Sequence, residues 1–165
     1  MQERAASPRP EPAEGSRRWC FGCGEENPQG LRIAFRIEGR KAIGDFTPRQ
    51  VHLGFPGFAH GGVIAAALDE AMGWALYAAG AWALTGRMEI KYRAPLPLGQ
   101  PVVVLAQVTR SRGRWLEAEA EMRAPSGRLF AQAHGVFVRL SQERVRELDA
   151  SYLVPPQPTN PEAKL

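Results

Sequence analysis

The sequence predicts an α+β fold in which an antiparallel β-sheet wraps around one long central α-helix. An uninterrupted apolar run over residues 60–77 predicts the helix, and alternating segments before and after it predict strands. Four of these segments follow the helix with short connections, so we expect them to pair as an antiparallel meander. Because such a sheet leaves its edges open, edge-to-edge association of copies is also expected.

Size and composition indicate a single globular domain. The chain has 165 residues, 44% of them hydrophobic and 23% charged, with a net charge of +4. This mild charge suits an anionic small molecule and does not single out nucleic acid. No secretory signal is visible, and two cysteines make no disulfide framework, so we expect a cytoplasmic protein. We expect a disordered tail over residues 1–17, the domain over 18–150 and a loose tail over 151–165.

The segments before the helix are predicted to form a loop and a hairpin. Residues 19–31 combine aromatic, cysteine and turn residues, which predicts a compact loop tucked against the domain. Residues 31–37 and 42–46 alternate apolar and polar side chains, so we expect two short paired strands. Two prolines and two glycines over residues 48–59 predict a loop that leads into the helix.

The helix is predicted to lie at the centre of the domain. Its alanine, leucine and methionine residues are strong helix formers, and no proline interrupts the chain between Pro56 and Pro95. Apolar residues occur on every side, which is typical of a helix surrounded by other structure. The length also suits a membrane span, but Asp69 and Glu70 at its middle would each cost about 3 kcal/mol there. We therefore expect a buried helix and no membrane association.

Glycines mark the change from helical to strand periodicity after the helix. Gly80 and Gly86 bracket this change. The strands that follow are predicted over residues 88–93, 102–108, 115–122 and 129–140. A basic turn is expected over 110–114, and a short charged segment over 143–149.

One motif connects this order of elements to a known family. His60–Gly62 is followed after six residues by Asp69 and one turn later by Gly73, and Tyr92–Gly99 looks like the family's strand end. In these features the sequence resembles the hotdog-fold acyl-CoA thioesterases, specifically the PaaI-like branch of the 4-hydroxybenzoyl-CoA thioesterase superfamily, over Cys20–Leu140. The resemblance implies hydrolysis of a small or medium acyl-CoA, aromatic acyl groups included, to the free acid and CoA. It also implies a homodimer or homotetramer, and no cofactor beyond the coenzyme A of the substrate.

Three residues are predicted to carry the chemistry. A helix N-terminus presents unpaired N–H groups, and the family uses the first glycine there, so Gly61 is the expected oxyanion donor. Asp69 lies too deep in the helix to be a cap. In resembling enzymes this acid attacks the thioester or activates water, on a substrate held by the other subunit. Thr85 matches a position where relatives carry a hydroxyl beside the catalytic water.

Each of these interpretations has a structural alternative. The glycines would also permit a tight helix entry and close packing against the sheet without any ligand. We expect the Asp69 carboxylate to be buried among apolar neighbours, which suits a general base. A buried acid paired with Arg87 or Arg93 is the alternative, and a threonine is common in any strand.

Four further residues are candidates for substrate binding near the helix. His60 would stand at the helix start beside Gly62, where it orients the loop, touches the substrate or serves as an ordinary N-terminal cap. His52 either lines the pocket or packs within its loop. Glu70 is one residue, about 100° of helical rotation, from Asp69, so we expect it to support the site and not to enter it.

Basic side chains are candidates for binding the phosphates of coenzyme A. Arg110, Arg112 and Arg114 share one predicted turn, and Arg93 lies at the predicted strand end. Arginine holds phosphate through two parallel hydrogen bonds, although a solvated turn explains these residues as well. Aromatic residues that suit either an acyl pocket or core packing are Trp74, Tyr77 and Trp82.

The sequence offers only part of a metal site. Cys20 and Cys23 have the spacing of half a structural zinc site, but four ligands are needed and no second pair exists. No metal is therefore expected, unless two chains pool their cysteines across a dimer axis.

Other functions remain as alternatives. A non-catalytic acyl-CoA-binding or regulatory protein on the same scaffold would keep the basic residues without depending on Asp69. The Asp/His arrangement of hotdog hydratases is not found. Dispersed basic residues, interleaved with glutamates, argue against nucleic-acid binding.

Overall fold

One antiparallel sheet and one long helix make up most of the computed structural model, which describes residues 17–147. The strands are β1 (Ala34–Glu38), β2 (Lys41–Phe46), β3 (Ala83–Tyr92), β4 (Val102–Arg112), β5 (Trp115–Arg123) and β6 (Leu129–Arg139). The helices are α1 (Gly61–Ala78) and α2 (Gln142–Glu147), with 3₁₀ turns at Arg17–Trp19 and Gln50–His52. Apart from Arg17, the predicted tails over residues 1–17 and 151–165 lie outside the described residues.

The sheet has the order β1-β2-β4-β5-β6-β3, and all its neighbours are antiparallel. The predicted hairpin of β1 and β2 is confirmed, as is the pairing of β4, β5 and β6. The predicted four-stranded meander is wrong, because β3 pairs with β6 at the edge and not with β4. The segment over residues 93–101 holds three prolines, so it crosses over the helix entry and does not form a tight hairpin turn. The Ala59 N–H donates to the Leu96 carbonyl in this crossover at 2.9 Å.

Two β-bulges explain the two largest errors in the predicted strand boundaries, while the first strand begins at Ala34 and not at residue 31. β3 begins at Ala83, five residues before its predicted start, because a register shift between Thr85 and Arg87 interrupts the alternation at Gly86. A second shift lies between Val108 and Arg110. β4 therefore continues through most of the predicted basic turn, which shrinks to residues 113–114.

The core lies between α1 and the concave face of the sheet. The helix residues buried there are Ile64, Ala67, Leu68, Ala71, Met72, Ala75 and Leu76. No element within residues 17–147 covers the opposite side of α1, and Gly62 and Gly73 are exposed on it. The expectation of a helix surrounded on every side is therefore wrong for a single chain, because one sheet covers only one side of a helix. Among the described residues, no helix is both long and apolar enough to cross a membrane.

The loop before β1 packs against the domain as predicted. The Leu31 N–H donates to the Phe21 carbonyl at 2.7 Å, and the Ile33 N–H donates to the Gly22 carbonyl at 3.0 Å. These bonds hold the cysteine-bearing segment beside residues 31–33, which lead into β1. The loop thereby covers the side of α1 that faces away from β3.

Candidate active site

The N-terminus of α1 reaches the surface at two glycines. His60 is the N-cap residue, and its Nδ1 accepts a hydrogen bond of 2.9 Å from the Gly62 N–H. This is the cap role that the sequence left open for His60. Within residues 17–147, the Gly61 N–H has no hydrogen-bond acceptor, so it remains available to a ligand.

Neighbouring segments hold this helix end in place. The His60 N–H donates to the His52 carbonyl at 2.8 Å, and the Tyr92 hydroxyl donates to the Gly61 carbonyl at 3.0 Å. Sequence patterns do not single out Tyr92 as a site residue, although it stands in the motif of the family resemblance. Its contact depends on where β3 lies beside α1, and local periodicity carries no information about that.

Asp69 and Thr85 form a hydrogen-bonded pair on the uncovered side of α1. Thr85 Oγ1 donates to Asp69 Oδ1 at 2.7 Å, so two of the three predicted catalytic residues come together. The β3 bulge follows Thr85 directly and changes the direction of the side chains around it. Thr85 is exposed and Asp69 is half-buried, which leaves the pair accessible from the uncovered side.

The expectation that Asp69 is buried is therefore wrong. Among the described residues, the sheet reaches this side of α1 only at its edge strand β3, so the carboxylate is only half-buried. No ion pair within residues 17–147 includes Asp69, so the alternative of a sealed pair with Arg87 or Arg93 is not observed there.

Gly61 and Asp69 are too far apart to act on one carbonyl within a single chain. They are eight positions apart on α1, which corresponds to about 12 Å along the helix axis. An oxyanion donor and a general base that serve the same reacting group each lie about 3 Å from it. One chain thus carries both halves of such a site without bringing them together.

The edge strand β3 contacts both parts of the candidate site, Asp69 through Thr85 and Gly61 through Tyr92. Within residues 17–147, β3 has a strand partner on one side only. Leu84 and Tyr92 on this strand are 63% and 53% exposed, and Phe55 in the loop before α1 is 83% exposed. Apolar side chains at a free strand edge are typical of a surface that another chain covers.

Glu70 faces the other side of α1, beneath the loop that precedes β1. Its carboxylate oxygens lie 3.6 and 3.7 Å from Cys20 Sγ, and Oε1 accepts a 3.2 Å hydrogen bond from the Trp74 indole. Burial, followed by the charge of Cys20, raises the pKa of Glu70 to about 7. The donor atoms of Cys20, Cys23 and Glu70 all lie within 4.8 Å of one another. Glu70 therefore does not share the surroundings of Asp69, as its rotation around the helix predicts.

The four candidate phosphate-binding arginines lie at two ends of the sheet. Arg110 and Arg112 occupy the exposed end of β4, and Arg114 lies on the turn that follows. Arg93 stands beyond the opposite end of β3, where its N–H donates to the Phe130 carbonyl. Most of the length of β6, about 25 Å, separates the two positions. The four side chains therefore form no single patch in one chain.

His52 and the aromatic residues of α1 are packed. His52 is 2% exposed and lies beside the Phe46 ring, and burial, with the nearby Arg49 charge, lowers its pKa. This placement favours the packed loop histidine over a residue that lines a pocket. Successive ring contacts along the helix join Phe35, Trp74, Tyr77 and Trp82.

Comparisons with known proteins connect this architecture to thioesterases. Residues 56–131 match the family model described as the thioesterase superfamily. Among curated proteins, the chain is similar to acyl-coenzyme A thioesterase THEM4 of Mus musculus, with 34% identity over 96 residues. This match covers 57% of this chain and 41% of the relative. The chain spans about half the length of the curated relatives that it matches.

Two solved structures show the same likeness in three dimensions. The thioesterase superfamily protein RHA08564 superposes with a TM-score of 0.70 and 26% identity, over 73% of this chain and 60% of that one. A variant of the phenylacetic acid degradation protein PaaI from Thermus thermophilus gives a TM-score of 0.62 and 27% identity, over 67% and 95% of the two chains. The resemblance and the hotdog fold expected from it are thereby confirmed.

Proposed function

We propose that this chain is a thioesterase that hydrolyses a small or medium acyl-CoA, aromatic acyl groups included, to the free acid and CoA, as its match to the thioesterase superfamily model and its likeness to acyl-CoA thioesterases support. One observation carries the proposal. The Asp69–Thr85 pair is accessible on the open side of a helix whose N-terminus offers an unpaired Gly61 N–H. These are the two kinds of group that thioester hydrolysis needs: one that delivers the nucleophile and one that receives the developing negative charge.

In the proposed reaction, the Gly61 N–H donates to the thioester oxygen as the carbonyl is attacked. One such donor is typically worth about 2.7–4 kcal/mol of transition-state stabilisation. Asp69 takes a proton from the attacking water, or attacks the carbonyl itself and forms a mixed anhydride that water then hydrolyses to the free acid. The Thr85 hydroxyl orients its carboxylate through the 2.7 Å hydrogen bond. The carbon–sulfur bond then breaks and the CoA thiolate takes up a proton, so the reaction requires no cofactor.

A second copy of the chain is proposed to complete the site. If two β3 strands pair antiparallel across a two-fold axis, the Thr85 end of one strand lies beside the Tyr92 end of the other. This arrangement would bring the Asp69 of one chain towards the Gly61 of its partner. The free edge of β3 and the spacing of about 12 Å between the two residues within one chain both support it. Such dimers would leave the outer sheet faces free to pair again into a tetramer.

The same arrangement offers a place for coenzyme A. The basic residues at the end of β4 lie in the row of the sheet that contains Thr85, since Ser111, Leu116, Phe137 and Thr85 are successive cross-strand partners. Arg93 follows the opposite end of β3 and would approach this row from the partner chain. We propose that the basic turn and Arg93 bind the phosphates together. Arg110, which already faces Glu117 at 3.6 Å, contributes less.

The test is a panel of acyl-CoA substrates from acetyl to aromatic and long-chain, read by free thiol release. We expect turnover of small, medium or aromatic substrates, and a loss of about 10²–10⁴-fold in kcat for Asp69→Asn. Asp45→Asn, which makes the same change at an exposed acid on β2, away from β3, serves as the control and should turn over like the wild type. Sedimentation of the wild type should show a dimer or tetramer.

The alternative function predicts a different outcome of the same panel. A binding or regulatory protein would retain acyl-CoA in equilibrium dialysis without releasing thiol. A folded Asp69→Asn protein with wild-type turnover of every substrate would refute the proposed role of Asp69.

A further inference from the structure

A second cluster of reactive side chains lies on the side of α1 away from the proposed active site. It consists of the Cys20 and Cys23 thiols and the Glu70 carboxylate, all partly buried, with donor atoms within 4.8 Å of one another. From this geometry we propose that Cys20, Cys23 and Glu70 bind a Zn²⁺ ion that ties the loop before β1 to α1. The inference does not depend on the proposed thioesterase activity.

The distances between Cys20 and Glu70 match those between two ligands of a tetrahedral zinc site. Zinc bonds of about 2.3 Å to sulfur and 2.1 Å to oxygen, at tetrahedral angles, place these two donors about 3.6 Å apart. Cys20 Sγ lies 3.6 Å from Oε2 and 3.7 Å from Oε1 of Glu70. Either carboxylate oxygen therefore stands where a ligand of the same ion would be. Three protein donors leave a fourth position, which water would fill.

The loop is shaped to bring these donors together. A Cβ on Gly22 would lie 2.5 Å from the carboxyl atoms of Glu70, so the missing side chain lets the carboxylate reach the loop. A Cβ on Gly24 would lie 2.5 Å from the Arg18 carbonyl and from the Cys20 backbone. At this point the Gly24 N–H donates to the Cys20 carbonyl at 2.9 Å and closes the turn that holds both cysteines.

The charges in the cluster also favour a cation. Three acidic groups, the Cys20 and Cys23 thiols and the Glu70 carboxyl group, share one small space. When they are deprotonated they would carry three negative charges, which a divalent cation offsets. Thiolates select Zn²⁺ over Mg²⁺ or Ca²⁺. The Trp74 indole N–H, 3.2 Å from Oε1, holds the carboxylate in its orientation.

The sequence alone could not reveal this site. The Cys-x-x-Cys pair supplies two donors, and the third comes from a helix residue 47 positions after Cys23. Two cysteines are only half of the four ligands that a structural zinc site needs, which is why the sequence predicts no metal.

The first test measures metal on the full chain, purified reduced and without chelators from zinc-supplemented cultures. We expect about one Zn²⁺ per chain by plasma mass spectrometry in the wild type, and almost none in Cys20→Ser/Cys23→Ser. Glu70→Gln should weaken binding at least about tenfold in a competition titration, because it removes one of three protein ligands. Glu25→Gln, an exposed acid in the same loop, is the matched control and should bind like the wild type.

Cobalt gives a second readout that does not need the variants to fold. Co²⁺ added to metal-free wild type should produce a thiolate-to-cobalt charge-transfer band with tetrahedral visible bands, and Zn²⁺ should displace them. Zn²⁺ should also raise the melting temperature of the wild type. Absence of the cobalt band from folded, reduced wild type would overturn the proposal. So would one ion shared by two chains with unchanged affinity in Glu70→Gln, because the cysteines would then be pooled without the carboxylate.

Discussion

Asp69 and Glu70 are adjacent on the same helix, yet their carboxyl groups lie in very different surroundings. Asp69 is half-buried beside the edge strand and accepts a hydrogen bond from Thr85. Glu70 lies beneath the loop before β1, against two cysteines and an indole, and burial raises its pKa to about 7. A rotation of about 100° between successive residues is enough to separate them. The comparison teaches that the side of α1 on which a residue lies, and not its charge, determines which of the two proposed roles it has.

Beyond the Asp69→Asn variant, the largest expected effect concerns the Gly61 N–H at the N-terminus of α1. Gly61 is the first residue of α1 and follows a residue with φ −63° and ψ 140°, a conformation that a following proline accepts. Gly61→Pro would remove the N–H while the helix start is kept, and we expect a loss of about 10²–10³-fold in kcat. Gly61→Ala keeps the N–H, and its Cβ would meet the Tyr92 ring at an ordinary 3.7 Å, so it serves as the matched control. Thiol-release kinetics and melting temperatures of both variants make the measurement.

Two outcomes bear on this prediction. Equal turnover in Gly61→Pro and Gly61→Ala would mean that the N–H does not act in the reaction. Co-expression of Gly61→Pro chains with Asp69→Asn chains should restore about a quarter of wild-type activity, because half of the dimers are mixed and each has one intact site. No recovery would mean that the two residues do not work across a subunit contact.

The second prediction makes the same chemical change on each side of α1. Gly22→Ala would place a Cβ 2.5 Å from the Glu70 carboxyl atoms, so we expect the free energy of unfolding to fall by about 1–3 kcal/mol. Gly73→Ala adds a methyl group on the open side, where none of the residues 17–147 would lie within 4 Å of it. It should stabilise the helix by about 0.5–1 kcal/mol. Urea unfolding of both variants measures the contrast, and a loss of stability in Gly73→Ala would mean that another surface closely covers the open side.

The smallest expected effect concerns the hydrogen bond that the Thr85 hydroxyl donates to Asp69. Thr85→Val would keep the shape of this exposed residue and remove the hydroxyl, and we expect a loss of about tenfold in kcat/KM, near 1.4 kcal/mol. Thr85→Ser keeps the hydroxyl and should retain most of the activity. The comparison uses one good substrate with matched melting curves. If both variants were equally slow, packing of the threonine methyl group would matter and not the hydrogen bond.

Much of the fold could be predicted because its signals are local. A cap residue, two glycines and an apolar run place the start of α1 within one residue of Gly61, and alternation locates most strands. The start of β3 is not predictable in this way because the Gly86 bulge interrupts its alternation. The pairing of β3 with β6 is not predictable either, because strand order depends on contacts between distant segments, which periodicity does not encode.

The candidate site divides in the same way. The Gly61 N–H and the position of Asp69 follow from helix geometry and from the family resemblance. The degree of burial of Asp69 does not, because it depends on how much of α1 the sheet covers. Tyr92 on the Gly61 carbonyl and Glu70 at the cysteines are contacts between distant segments, and neither can be obtained from spacing along the chain.

By itself, the sequence determined that this chain has one long apolar helix with two adjacent acids, two glycines at the N-terminus of that helix, and strands with alternating side chains. Residue order sets such features through backbone preferences over a few neighbouring positions. Only the tertiary structure decided that one acid faces an open strand edge and the other a pair of thiols. The reason is that burial and contact depend on which distant elements pack on each side of α1, and a helix by itself presents both sides equally to water.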